Sequence, residues 1–212
     1  MERRIADMKM KISRSIRNAG VLCIGLMSLP VSTFASSDIV SNEKPDAAKI
    51  NRARRIIAAL QHELEDLSER GNGPFLASIY DAEGNLVAKM PNTVALDKCS
   101  HNHAEMNAIR VAEEKLGTYD LGPFNLKLYT TSEPCSMCMG GIMWSGIREV
   151  YYGVPSESVE RITGFDEGFK PGWLEEFKKR GITVYGNIER ELGEQALRNY
   201  MEKGGTIYQP QR

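Results

Sequence analysis

The chain has 212 residues with apolar and charged residues in ordinary globular proportions, enough for one domain with a proper core and little room for a second. Its formal net charge of -1 excludes the strongly basic footprint of a protein that grips nucleic acid through charge alone.

The first 35 residues stand apart from the rest. Arg3, Arg4, Lys9, Lys11, Arg14 and Arg17 precede an apolar run from Ala19 to Leu29, and Thr33 and Ala35 sit where a cleavage site places small residues. This is the layout of a secretory signal peptide over residues 1–35, with an apolar run shorter than the roughly 20 residues of a spanning helix. Glu2 and Asp7 are unusual in such a leader, and a start at Met8 removes both. The leader implies a periplasmic or secreted protein; read instead as an irregular extension, it leaves the chain cytoplasmic. Without residues 1–35 the chain keeps 21 basic and 26 acidic residues, about -5 in net charge, a poor match to a phosphate backbone. It also keeps only Cys99, Cys135 and Cys138, which make no disulfide framework.

Residues 36–48 are largely polar and read as a linker to a domain over 49–212. Ile50, Ala53, Ile57, Leu60, Leu64 and Leu67 recur at three- and four-residue steps, which predicts an amphipathic helix ending at Gly71. Phe75–Tyr80 reads as a buried strand, and Ala82–Asn85 as a hairpin turn into a second strand, Leu86–Met90. A loop over Pro91–Asn102 delivers His103 to the next helix, whose inner stripe is Ala104, Ala108, Val111 and Ala112. After a strand at Leu126–Thr130, Ser132 is placed to cap a helix starting near Glu133–Pro134, with Cys135, Cys138, Met139, Ile142 and Met143 on one face. Strands at Glu149–Gly153 and Thr183–Tyr185 and a helix at Ile188–Lys203 complete the series. Alternating helices and strands predict an α/β domain with a central sheet covered on both faces.

The chemistry lies in His103-Ala104-Glu105 and Pro134-Cys135-Ser136-Met137-Cys138. A structural zinc usually takes four protein ligands, whereas a catalytic zinc takes three and leaves one position to water. His103, Cys135 and Cys138 supply three, one Zn²⁺ per chain. Cys135 and Cys138 open a helix, where unpaired backbone N–H groups favour thiolates. A lone C-x-x-C would equally suit a redox pair or half of a zinc knuckle, and Cys99 is a competing fourth ligand. Glu105, two residues past His103, can face the same pocket as a proton carrier. The H-x-E then P-C-x-x-C pattern is the signature of zinc-dependent base deaminases.

From Gly73 to about Tyr208 the chain resembles the cytidine deaminase superfamily. Gly73-Pro74-Phe75, His103-Ala104-Glu105 and Ser132-Glu133-Pro134-Cys135 resemble the branch of tRNA adenosine deaminases and bacterial guanine deaminases. Ile142-Met143-Trp144-Ser145-Gly146, Gly164-Phe165-Asp166-Glu167-Gly168 and Gly205-Thr206-Ile207-Tyr208 are similar to the guanine deaminase type. The resemblance implies a three-layer α/β/α fold with a mixed five-stranded sheet. It implies zinc on His103, Cys135 and Cys138, Glu105 as first proton shuttle and Glu167 as a second acid. It further implies that Asn92 hydrogen-bonds a flat substrate, that Trp144 lines the pocket, and that Tyr208 closes over the base, from its own chain or a partner subunit.

The expected reaction is hydrolysis of a free purine base, guanine to xanthine plus ammonia. Adenosine in tRNA, or a cytosine or cytidine compound, is the alternative, and an inactive zinc-binding protein the third. The expected partners are a small nucleobase and a second copy of the chain, with no nucleic acid and no membrane span after the leader. No basic, aromatic-interleaved C-terminal helix of the kind that reads RNA is present in the sequence.

Overall fold

Strands that are apolar on both sides of the pleat must be covered on both faces, and that pattern sets the middle of the sheet. The computed structural model describes residues 39–209. The segment 1–35 that reads as a signal peptide and the start of the expected linker lie outside them. β1 (Val40–Ser41), β2 (Leu76–Tyr80), β3 (Leu86–Pro91), β4 (Lys127–Ser132), β5 (Glu149–Val154) and β6 (Thr183–Gly186) form one mixed sheet, in the order β1-β6-β5-β4-β2-β3. β4, β5 and β6 run parallel, and β1, β2 and β3 pair antiparallel to their neighbours. The helices are α1 (Ala47–Glu69), α2 (Val94–Asp97), α3 (Ala104–Leu116), α4 (Ser136–Ser145), α5 (Ser156–Thr163), α6 (Trp173–Lys179) and α7 (Arg190–Glu202).

One face of the sheet carries α1, which packs in turn against α7, and the other carries α3 with α4 beside it. The expected three-layer architecture is therefore present. Asp46 caps α1 by accepting the Lys49 N–H at 3.0 Å, and of the periodic residues of the sequence the helix buries Ile50, Ala53, Ile57, Leu60 and Leu64, with Leu67 half-buried beside them. They press on a row of tyrosines. Tyr129 lies opposite Tyr151 and Tyr151 opposite Tyr185 in the parallel register, so their rings stack at 4.6 and 5.2 Å between centroids. Tyr80 meets Tyr129 edge-on at 5.5 Å, extending the row across four strands. Each such pair is worth about 0.5–1.5 kcal/mol beyond its buried area. Among the described residues no helix is long and apolar enough to cross a membrane.

The sheet has six strands rather than the five expected, because part of the segment read as a linker joins it. β1 is only two residues long, too short to show an alternation. Asn42, next after it, does the work of a further strand residue. Its Nδ2 donates to the Ile182 and Leu174 carbonyls at 2.9 and 3.2 Å, and its Oδ1 accepts the Val184 N–H at 3.0 Å. Asn42→Ala strands the Val184 N–H and the Ile182 carbonyl, so a loss of about 1–3 kcal/mol is expected in denaturant unfolding. A variant as stable as wild type would mean that this segment is not docked.

Three further differences are local. β4 runs on through Ser132, so α4 starts at Ser136 with Cys135 at its N-cap position, and Ser132 caps nothing. The loop from Pro91 to Asn102 contains the single turn α2. α5 and α6, of eight and seven residues, are too short for periodicity to announce them. Lys179 and Arg180 at the end of α6 are solvated and pair with Glu176.

Candidate metal centre and active site

The parallel strand β4 ends where α3 and α4 both begin, at the carboxyl edge of the sheet where open α/β folds bind ligands. His103 precedes α3, and Cys135 and Cys138 open α4, so two helix N-termini converge there. His103 Nδ1 lies 3.5 Å from Cys135 Sγ and 3.7 Å from Cys138 Sγ. A tetrahedral ion with bonds of about 2.3 Å to sulfur and 2.0–2.1 Å to nitrogen needs N···S edges of about 3.6 Å. The donor set and its spacing therefore fit zinc. All three ligand atoms lie within 4.8 Å of one another, and this is the single such cluster among the described residues. Cys99 is elsewhere; its Sγ contacts the His101 ring at 3.3–3.4 Å. Zinc held by these three residues would supply Lewis acidity toward water, making hydroxide available near neutral pH.

The protonation of the ligands follows from their contacts. The Cys138 thiol bonding to Cys135 is the largest cause that lowers Cys135 to about 4, with His103 adding and burial opposing. Cys138 moves the opposite way because it keeps that shared proton, and burial adds to the shift. Burial disfavours the imidazolium of His103, but Cys135 and the carboxylates around it outweigh burial and raise it.

Glu105 occupies the first turn of α3 and is buried. Its Oε1 accepts from Thr130 Oγ at 3.2 Å and its Oε2 from Cys138 Sγ at 3.5 Å. Burial is the main cause that pushes its carboxyl up, reinforced by Cys135. The opposite side of the pocket is Glu167, only 3% exposed. Burial raises it to about 7, and Lys170 and Ser156 hold it from going higher. A carboxyl near neutrality can both give and take a proton at working pH.

Between the two carboxyl groups runs a cleft lined by Phe75, Asn92, His103, Ser132, Cys135 and Phe165. Phe165 forms an aromatic wall, 6.0 Å from both the Phe75 and His103 ring centroids. Asn92 Oδ1 accepts the Val94 N–H at 3.2 Å, which orients the amide and leaves Nδ2 as a donor. A Cβ on Gly73 would lie 2.9 Å from that Oδ1, so the backbone passes this close only as glycine. The outer part of the cleft is lined by Ala95, Thr206, Ile207 and Tyr208.

The same region governs the likeness to known proteins. The cytidine and deoxycytidylate deaminase zinc-binding region matches residues 51–154. The tRNA-specific adenosine deaminase of Bacillus subtilis is 33% identical over 133 residues, 62% of this chain and 78% of that protein. The chain belongs to this deaminase family. The guanine deaminase of Bacillus subtilis is 38% identical over 97 residues, 46% of this chain and 60% of that protein, so about three fifths of its length is matched. The solved guanine deaminase of Nitrosomonas europaea superposes with a TM-score of 0.66 and 34% identity, over 75% of this chain and 88% of that one.

Within this deaminase fold, His103, Cys135, Cys138, Glu105, Glu167 and Asn92 come together in one pocket. Tyr208 reaches its rim from the same chain, held by a latch in which Tyr200 Oη donates to the Thr206 carbonyl at 2.7 Å. Trp144 does not line the pocket and is 86% exposed. The reason is helical phase: nine residues past Cys135, at 100° each, is half a turn away from it. Three polar residues of the site went unread in the sequence: Thr130, Ser156 and Lys170. Thr130 and Ser156 touch Glu105 and Glu167 through tertiary contacts and Lys170 touches Glu167 from three residues on; Thr130, two before Ser132, and Lys170, two beyond Gly168, lay near motifs without belonging to them.

Proposed function

We propose that this deaminase acts on a free purine base, converting guanine to xanthine and ammonia by hydrolysis. The observation that carries the reading is the convergence of Glu105 and Glu167, both buried, on one aromatic-walled cleft beside the three zinc ligands. A purine is flat with hydrogen-bonding edges, and the cleft offers Phe165 and Phe75 to its face and Asn92 Nδ2 to an acceptor on its edge. Glu105 takes a proton from the attacking water and returns it to a ring nitrogen, making the neighbouring carbon electrophilic. Glu167 handles the proton of the departing amino group. Tyr208 covers the base at the cleft mouth. The two guanine deaminase relatives support this reading.

The test is ammonia release from guanine, adenine, cytosine, cytidine and tRNA by zinc-loaded protein, with Glu167→Gln beside wild type. Guanine is expected to be fastest, and Glu167→Gln to lose about 10²-fold or more in kcat. Wild-type turnover of guanine by Glu167→Gln removes the second acid from the mechanism. Adenosine in tRNA is the second reading, favoured by the 78% coverage of the Bacillus adenosine deaminase and opposed by the acidic balance of residues 36–212.

Two further elements belong to the proposal. The protein is a homodimer, supported by α4: it is apolar on all sides, yet Trp144 on it is exposed. The chain is exported and trimmed at Ala35, so the mass of protein recovered from the periplasm should begin at Ser36. Recovery of the uncut chain in the cytoplasm alone contradicts export.

A further inference from the structure

We propose that Lys170 is a positioning residue, which holds Glu167 in the orientation that proton transfer requires. The inference rests on the deaminase reading for the role of Glu167 and on the geometry around Lys170 for the rest. Lys170 belongs to the loop between α5 and α6, and its side chain is only 9% exposed. Its Nζ lies 3.0 Å from Glu133 Oε1, 3.1 Å from Glu167 Oε2 and 3.4 Å from the Pro134 carbonyl, and it also touches Ser156 Oγ. Ser156 closes the ring. Its Oγ donates to Glu167 Oε2 at 2.7 Å and its N–H to Glu133 Oε2 at 3.1 Å.

Two features separate this cluster from an ordinary surface ion pair. Exposed pairs such as Lys179–Glu176, with side chains 68% and 45% exposed, are screened by water and contribute little. Lys170, Glu133 and Glu167 have side chains 9–10% and 3% exposed, so removing the ammonium leaves two carboxylates facing each other out of water. Secondly, both donors act on one oxygen of Glu167, Oε2. That fixes the plane of the carboxyl group and keeps Oε1 for the cleft that Glu167 lines.

The cage also joins segments that are distant in sequence. Glu133 and Pro134 belong to the turn that delivers the zinc ligand Cys135, Ser156 begins α5, and Glu167 lies on the loop that follows α5. That loop docks on α4 through the Ser136 N–H, which donates to the Glu167 carbonyl at 3.1 Å. Gly168 has φ +79, and a Cβ there would meet Ser136 Oγ at 2.5 Å, so close docking also needs the glycine. Lys170 thus registers the second acid against the metal side of the pocket. Its long stem lets a loop residue reach a cage it could not enter with its backbone.

The experiment compares zinc-loaded full-length Lys170→Met and Lys170→Arg, each alone and combined with Glu167→Gln, on whichever base of the panel wild type deaminates fastest. Lys170→Met is expected to lose about 10–100-fold in kcat, the scale of a misplacement of about 1 Å, with KM and zinc content within about two-fold of wild type. Lys170→Arg should recover part of the loss. In the Glu167→Gln background the Lys170→Met change should cost nothing more. Equal losses in both backgrounds, or wild-type kcat in Lys170→Met, overturn the proposal. Should Lys170→Met not fold, Ser156→Ala removes the other Oε2 donor without stranding a charge. A several-fold loss of kcat that vanishes beside Glu167→Gln supports the cage, and a loss that persists there overturns it. If wild type releases ammonia from no base, the deaminase reading is what fails. The crystal structure of zinc-loaded Lys170→Met or Ser156→Ala then decides: Glu167 displaced supports positioning, and Glu167 unmoved refutes it.

Discussion

A Glu105→Gln protein should carry one zinc per chain and deaminate its best substrate at least about 100-fold more slowly than wild type, with losses up to about 10⁴-fold within reach of this kind of catalysis. The side chain is not among the three metal ligands, so nothing in the metal centre requires a carboxylate at this position. Glutamine keeps the shape and can still accept from Thr130, whose Oγ lies 3.2 Å from Glu105 Oε1. What it lacks is a site for a proton. Burial raises the Glu105 carboxyl and so favours its proton-bearing form over that of an exposed carboxyl, which suits a group that must hold a proton and then release it. The measurements are zinc by atomic absorption and kcat by ammonia release. Zinc-replete Glu105→Gln with full activity would falsify the shuttle assignment, and loss of zinc would show that the residue also organises the metal site.

Cys138→Ser should have the other large effect, on metal and stability together. Cys138 is wholly buried, and its Sγ touches both His103 and Glu105. Serine shortens the reach and replaces a soft thiolate by a hydroxyl that does not ionise near neutral pH. The loss of zinc affinity should exceed the 10–100-fold typical of a residue that merely supports a ligand. Ligand binding to the folded state stabilises it by about 2.7 kcal/mol when free zinc is 100 times Kd. Wild type should therefore show a Tm that climbs with added zinc and falls with chelator, while Cys138→Ser should respond to neither. A Cys138→Ser protein purified with a full equivalent of zinc would contradict the ligand set.

What could be read in the sequence follows physical locality. The long helix α1, the strands around Tyr129 and Tyr151 and the metal ligands announce themselves through periodicity or through spacing on a helix. Glu105 was legible because His103 and Glu105 stand two apart in one helical turn. The edge strand at Val40–Ser41 was not, since its stability comes from Asn42 reaching residues more than 130 positions away. Trp144 was placed in the pocket by family likeness, whereas the turn angle of α4 alone points it outward. Glu167 was found through its motif, but Ser156 meets it only after α5 folds back, and Lys170, three residues on, carries no motif of its own. Tyr208 was read from its terminal motif, and within the chain the Tyr200–Thr206 hydrogen bond holds the segment just before it.

The stacked row Tyr129, Tyr151 and Tyr185 has a practical consequence. Phenol rings held in fixed, near-parallel contact couple their electronic transitions, so the native sheet should give an unusually strong near-ultraviolet circular dichroism signal. That signal depends on the register of three parallel strands and not on the metal. It offers an optical gauge that separates a protein that has merely lost its ion from one whose backbone has come apart.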